Sequence, residues 1–178
     1  MKIKYYLIFI FLFSFDTFSC NGSKVNLKNG ANFLDLNRDG KKDVVFYAEF
    51  ENNTSHPSHT LTVFIKNKDN RFNIIPVPND SGFTWFDYKL SAYDIKIQDY
   101  ELRVKNGIYY ILFSKKKIDT EDIFGEHPVE FIIYEIKYND EDAGISDYYW
   151  DRVNEFITKK TYKSVSNAIL EFDDRCNL

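Results

Sequence analysis

The chain is short of the devices that usually declare a function. It has two cysteines, three histidines and four prolines in 178 residues. It contains no internal repeat, no low-complexity tract and no linker, which argues against a solenoid or a string of modules. Three histidines, two of them flanking a proline in His56-Pro57-Ser58-His59, do not make a helix-borne zinc pair, because Pro57 breaks the helix that would present it. Beyond the N-terminus no apolar run approaches the roughly 20 residues that a membrane helix needs. The net charge is −4. An acidic, well-mixed surface argues against nucleic acid as a partner.

The N-terminus reads as a secretion signal over residues 1–19. Lys2 and Lys4 precede an apolar stretch from Tyr5 to Phe15, and Thr17 and Ser19 are small residues placed for cleavage before Cys20. Removing Lys2, Lys4 and Asp16 with that segment moves the net charge from −4 to −5. Residues 20–178 have the length of one β-rich domain with a normal core. The expected location is the periplasm. Cys20 and Cys176 stand at opposite ends of the mature chain. In an oxidising compartment they would be paired in a disulfide. Lipidation of Cys20 is the competing reading and the only route by which this chain would meet a membrane, although Thr17-Phe18-Ser19 is a poor lipobox.

Aromatic residues make up 18% of the sequence, and Tyr and Phe favour strands. Strands are expected at 43–50, 60–66, 72–77, 93–97 and 129–138, and a hairpin is expected across Asn106-Gly107, joining 102–104 to 108–113. Residues 79–89 read as an aromatic-rich loop. The period then changes. Trp150, Val153 and Ile157 share a helical face behind a cap at Asp147. Val165, Ala168, Ile169 and Phe172 do so behind Ser164. The expected class is α+β: a mainly antiparallel sheet with two short C-terminal helices packed on it.

The most informative stretch is Asp35-Leu36-Asn37-Arg38-Asp39-Gly40-Lys41-Lys42-Asp43. Oxygen-bearing side chains at alternate positions, a glycine at the sharp turn and a later carboxylate resemble a calcium loop. The ligands would be Asp35, Asn37, Asp39, the Lys41 carbonyl and Asp43. It is not an EF-hand, because position twelve is Phe46. The alternative is an Asx-rich turn in which these side chains cap backbone N–H groups. Both readings stand at this point.

Ser114-Lys115-Lys116-Lys117 matches Ser-x-x-Lys formally, but Ser114 ends a strand and no Ser-Asp-Asn or Lys-Thr-Gly accompanies it. The aromatic loop Gly82-Phe83-Thr84-Trp85-Phe86-Asp87-Tyr88 offers either a binding surface or a plug for the core.

The calcium-like loop, the block Asn52-Asn53-Thr54-Ser55-His56-Pro57-Ser58 and the block Phe83-Thr84-Trp85-Phe86-Asp87-Tyr88 together resemble the carbapenem intrinsic-resistance (CarG) family, over most of the mature chain. The resemblance implies a small periplasmic factor that protects against carbapenems without hydrolysing them. It carries a small residue such as glycine where Arg38 stands. No cofactor other than calcium is expected. The expected partner is a carbapenem or a periplasmic cell-wall target protein. The residues expected at the contact surface are His56, Ser58, Trp85, Asp87 and Tyr88. The alternative is a calcium-stabilised secreted interaction domain with no antibiotic role.

Overall fold

A computed structural model describes residues 22–51, 57–79, 81–90, 94–140, 144 and 146–176, with side chains through Asp173. The signal segment, Cys20 and His56 lie outside the described residues, as does the Cys176 side chain, so the expected disulfide does too.

Among the described residues eleven strands precede one helix: β1 Ser23–Lys24, β2 Gly30–Leu34, β3 Asp43–Phe50, β4 Ser58–Lys66, β5 Phe72–Ile74, β6 Trp85–Phe86, β7 Tyr88–Leu90, β8 Ile95–Lys105, β9 Ile108–Lys116, β10 His127–Tyr138, β11 Tyr148–Tyr162 and α1 Val165–Cys176. All pairings are antiparallel. One sheet runs β1-β8-β9-β10-β11 with β7 on β8. The other runs β2-β3-β4-β5 with β6 also on β4. The mainly antiparallel α+β class is the observed one.

The core has two compartments, one on each face of the larger sheet. Between the sheets lie Val45, Leu61, Val63 and Ile65 against Leu102, Ile111, Ile132 and Tyr134. On the far face Leu112, Val129, Phe131 and Ile133 meet Val165, Ala168 and Ile169 of α1. β9 and β10 are therefore buried on both faces, which is why their centres read as unbroken apolar runs rather than alternating ones. Phe131, Phe156 and Phe172 stack with ring planes 17–19° apart.

The Asn106-Gly107 turn has φ of 51° and 77°, the left-handed pair that a two-residue hairpin requires, and it closes β8 on β9 at Lys105–Ile108. The first expected C-terminal helix is instead β11, so the described residues hold one helix where two were expected. The reason is a bulge. Tyr134 pairs with Arg152 and Ile133 with Asn154, leaving Val153 extra. Trp150 consequently packs between the sheets while Phe156 packs on the helix side. Strict alternation is lost, and the apolar spacing that survives imitates a helical face. The expected Asp147 cap instead accepts a hydrogen bond from Asn73 Nδ2 at 3.0 Å. The expected aromatic loop at 79–89 contains β6 and begins β7.

Candidate functional site

The Asp35–Asp43 loop joins β2 to β3, and its side chains largely serve its own backbone. Asn37 Oδ1 accepts from the Asp39 amide at 3.2 Å, Asp39 Oδ1 from Lys41 at 2.8 Å and Asp35 Oδ2 from Gly40 at 3.1 Å. Asp43 is fully buried. Its oxygens accept from the Leu36 and Lys66 amides, each at 2.8 Å. Burial pushes its carboxyl up, and these amides pull against that shift. Arg38 and Gly40 both have positive φ, 61° and 81°, so the small residue that the resemblance implies at 38 has a backbone reason. The donor set keeps some capacity for a hard cation. Asp35 Oδ1 is buried without a hydrogen-bond partner. Calcium held here would draw on Asp35, Asn37, Asp39 and the Lys41 carbonyl, with Asp43 already engaged by two amides. Among the described residues no group of three or more His, Cys, Asp or Glu is arranged as a metal site.

Two cavities of about 320 Å³ each open near the seam between the sheets. The first lies among Tyr47 of β3, His59 of β4, Asp87, and Lys96, Tyr100 and Leu102 of β8, with residues 24–27 along one side. Asp87 follows β6, and its position is fixed by pairing across to β4: its amide donates to the His59 carbonyl at 3.2 Å and its Oδ1 accepts from the His59 amide at 2.6 Å. Lys96 Nζ sits 3.0 Å from Asp87 Oδ2 and 2.7 Å from Asp99 Oδ2. Burial pushes the Asp99 carboxyl up, with Lys96 opposing. Burial pulls Lys96 down, but the two carboxylates outweigh it and hold the ammonium above the ordinary lysine value. The second cavity is walled by Val77, Trp85, Phe113 and Tyr134, with Lys115 and Gln98 among its polar lining.

The family model described as "Carbapenem resistance protein CarG-like" matches residues 27–171. The chain belongs to the CarG-like family. The solved structure titled "Crystal structure of CarG" superposes with a TM-score of 0.78 at 41% identity, over 84% of this chain and 94% of that one. No curated protein matches. The chain is thus a carbapenem-resistance-related protein.

In this CarG-like chain the described residues among those expected at the contact surface differ in exposure. Trp85 is 4% exposed and packs against Phe113, Tyr134 and Trp150, with ring centroids 5.5–5.9 Å apart. It lines the second cavity from within the core. Asp87 is buried on the first cavity, Tyr88 is exposed on β7, and Ser58 is half-buried at the start of β4. Ser114 is buried in β9 and its Oγ donates to the Asp99 carbonyl at 3.3 Å. Lys96 and Tyr100 went unnominated from sequence. The available signal was two polar residues at even positions of a strand whose even side also carries Leu102, which places polar groups on an apolar face.

Proposed function

We propose that this protein acts in the periplasm and confers intrinsic resistance to carbapenems by binding, without hydrolysis and without being an enzyme. The observation that supports the reading best is the second cavity. Small-molecule sites are typically concave, aromatic-walled and a few hundred cubic ångströms in volume, with a few polar groups that set orientation. Trp85, Phe113 and Tyr134 supply flat apolar walls, and Lys115 offers a cation to a carbapenem carboxylate, the Glu130 carboxylate of the same lining being paired with Lys117 at 3.0 Å. The surroundings of Ser114 support the non-enzymatic reading. Ser114 is buried against a backbone carbonyl, and Lys117, the lysine of the formal motif, pairs with Glu130 at 3.0 Å.

The test has two arms. A carbapenem-sensitive Gram-negative host producing the full chain should survive drug that kills the same host producing it without residues 2–19. Mature protein should bind a soluble carbapenem by calorimetry while the β-lactam chromophore persists. Protection without export would overturn the location, and steady loss of the chromophore would overturn the mechanism. With confirmed export, protection and no drug binding, the remaining candidate would be the cell-wall target, tested by co-purification from the periplasm.

A second reading has its own support: a calcium-stabilised secreted interaction domain with no antibiotic role. Asp35 Oδ1 lacks a partner, and the smaller sheet carries exposed Phe33, Phe46, Phe72 and Phe86. It predicts stabilisation by calcium in a protein that protects no host.

A further inference from the structure

We propose that the first cavity, at the seam between β3, β4 and β8, is a binding site for a small, uncharged, hydroxyl-rich molecule about the size of one sugar ring. This goes beyond the drug-binding reading and does not rest on it.

Two buried polar atoms on residues lining this cavity have no hydrogen-bond partner among the described residues: His59 Nδ1 and Tyr100 Oη. Asp87 Oδ2, beside them, is ion-paired with Lys96 Nζ at 3.0 Å. They come from two sheets that meet only through tertiary packing. Folded proteins leave few buried polar atoms unpaired, because each costs about 1–3 kcal/mol. Convergence of two on one cavity of about 320 Å³ marks a place where hydrogen bonds are completed by something else. Tyr100 is only 7% exposed, so bulk water does not serve its hydroxyl freely.

The unpaired groups define the ligand. A phenol hydroxyl can donate or accept, and so can an imidazole nitrogen according to its tautomer. These suit hydroxyl groups, which are equally versatile. The full charges are already matched: Lys96 to Asp99 and Asp87, and Lys24 to Glu101 at 2.7 Å. An ionic ligand would have to compete with those pairs. The field also has a sign. Burial pushes the Tyr47 and Tyr100 phenols up, and the Asp87 and Asp99 carboxylates push both further. Burial, the larger cause, disfavours any ion here, and the two carboxylates, opposed at Tyr47 by Lys96, disfavour an anion further. Tyr47 and His59 meet edge to face at 5.5 Å, giving the cavity a ring surface against which a sugar's C–H face can lie.

The experiment uses mature protein and pyranose probes that differ in charge. Glucose, galactose and N-acetylglucosamine are neutral, glucuronate is anionic and glucosamine is cationic. Binding is read by calorimetry and by amide chemical shifts of β4 and β8. At least one neutral probe should bind, with glucuronate about tenfold weaker or more. Tyr100→Phe should remove that binding while leaving the thermal midpoint equal or higher, since it deletes an unpaired buried hydroxyl. Failure of every neutral probe would overturn the proposal, as would preference for glucuronate or glucosamine. A fall in the Tyr100→Phe midpoint would also overturn it, by showing that the hydroxyl has a structural partner. A carbapenem should not displace the bound sugar. This keeps the result separate from the drug-binding reading.

Discussion

Arg103 of β8 and Asp173 of α1, seventy residues apart in sequence, join in a two-pronged ion pair, Nη1 to Oδ1 at 2.6 Å and Nη2 to Oδ2 at 3.0 Å. The same guanidinium bonds Glu101 through Nε at 2.9 Å and through Nη2, and lies over the Phe172 ring. Only a planar fork serves two carboxylates in this way. Arg103 is 3% exposed and Asp173 38%, so the two ends should respond unequally. Arg103→Met leaves buried Glu101 with Lys24 alone and should cost about 3–5 kcal/mol. Asp173→Asn leaves a polar group near water and should cost about 1 kcal/mol or less. Urea midpoints at constant slope would show the difference. Equal costs would mean that Glu101 is not left stranded.

A second buried cation holds a loop rather than a helix. Lys116 Nζ donates to the carbonyls of Ile123 at 3.1 Å, Gly125 at 2.7 Å and Lys163 at 3.0 Å. It ties the β9–β10 connection to the start of α1. Lys116→Met keeps the stem's packing but strands three acceptors, and should cost about 2–3 kcal/mol. Hydrogen exchange should quicken over residues 117–126 before the sheet opens. Uniform loss of protection would mean that the loop is pinned elsewhere.

These two residues show what could be read from sequence. The Asn106-Gly107 hairpin was legible because left-handed turn geometry is written in residue type. The β3 and β4 strands were legible because one of their faces is buried and the other wet. Arg103 and Lys116 were not. A charged residue in a strand usually faces solvent, and only tertiary pairing with Asp173 or three carbonyls reverses that. β11 was misread because one extra residue at Val153 exchanges the sheet faces midway. Within the candidate sites, Trp85 and Asp87 stood out as chemistry in an apparent loop. The cavities they line depend on Lys96, Tyr100, Phe113 and Lys115, whose convergence exists only once the sheets are stacked.

The buried phenols give the protein an alkaline limit. Burial pushes Tyr47, Tyr100, Tyr110 and Tyr134 above the ordinary value of 10.0. Above about pH 10 the unfolded chain releases these protons first, so the folded state binds more protons and stability falls as pH rises, by up to about 1.4 kcal/mol per pH unit for each phenol. Lys96, held up by Asp99 and Asp87 against burial, adds to this slope. Lys116, lowered by burial, opposes it. The phenols outnumber that opposition. Tyr100→Phe should flatten the fall between pH 10 and 12, measured by urea midpoints with tyrosinate absorbance as the probe of ionisation. An unchanged slope would mean that Tyr100 ionises freely in the folded protein.

The loop at Asp35–Asp43 gives the sharpest test of the calcium reading, because its two states make opposite demands on Asp39. As a turn, Asp39 contributes one hydrogen bond, to the Lys41 amide at 2.8 Å in an exposed position. Asp39→Ala should then cost about 1 kcal/mol or less, whatever salt is present. As a calcium ligand, Asp39 adds charge to a set completed by Asp35 Oδ1, which has no hydrogen bond of its own. Calcium at a hundred times its dissociation constant would then stabilise the wild type by about 2.7 kcal/mol, and the variant by much less. Thermal midpoints of both proteins with millimolar calcium, with magnesium at equal ionic strength and with chelator would separate the cases. A rise specific to calcium and lost in Asp39→Ala supports a bound ion. Equal midpoints in all three buffers leave Asp39 a turn residue, and Asp35 Oδ1 is then left to a water molecule.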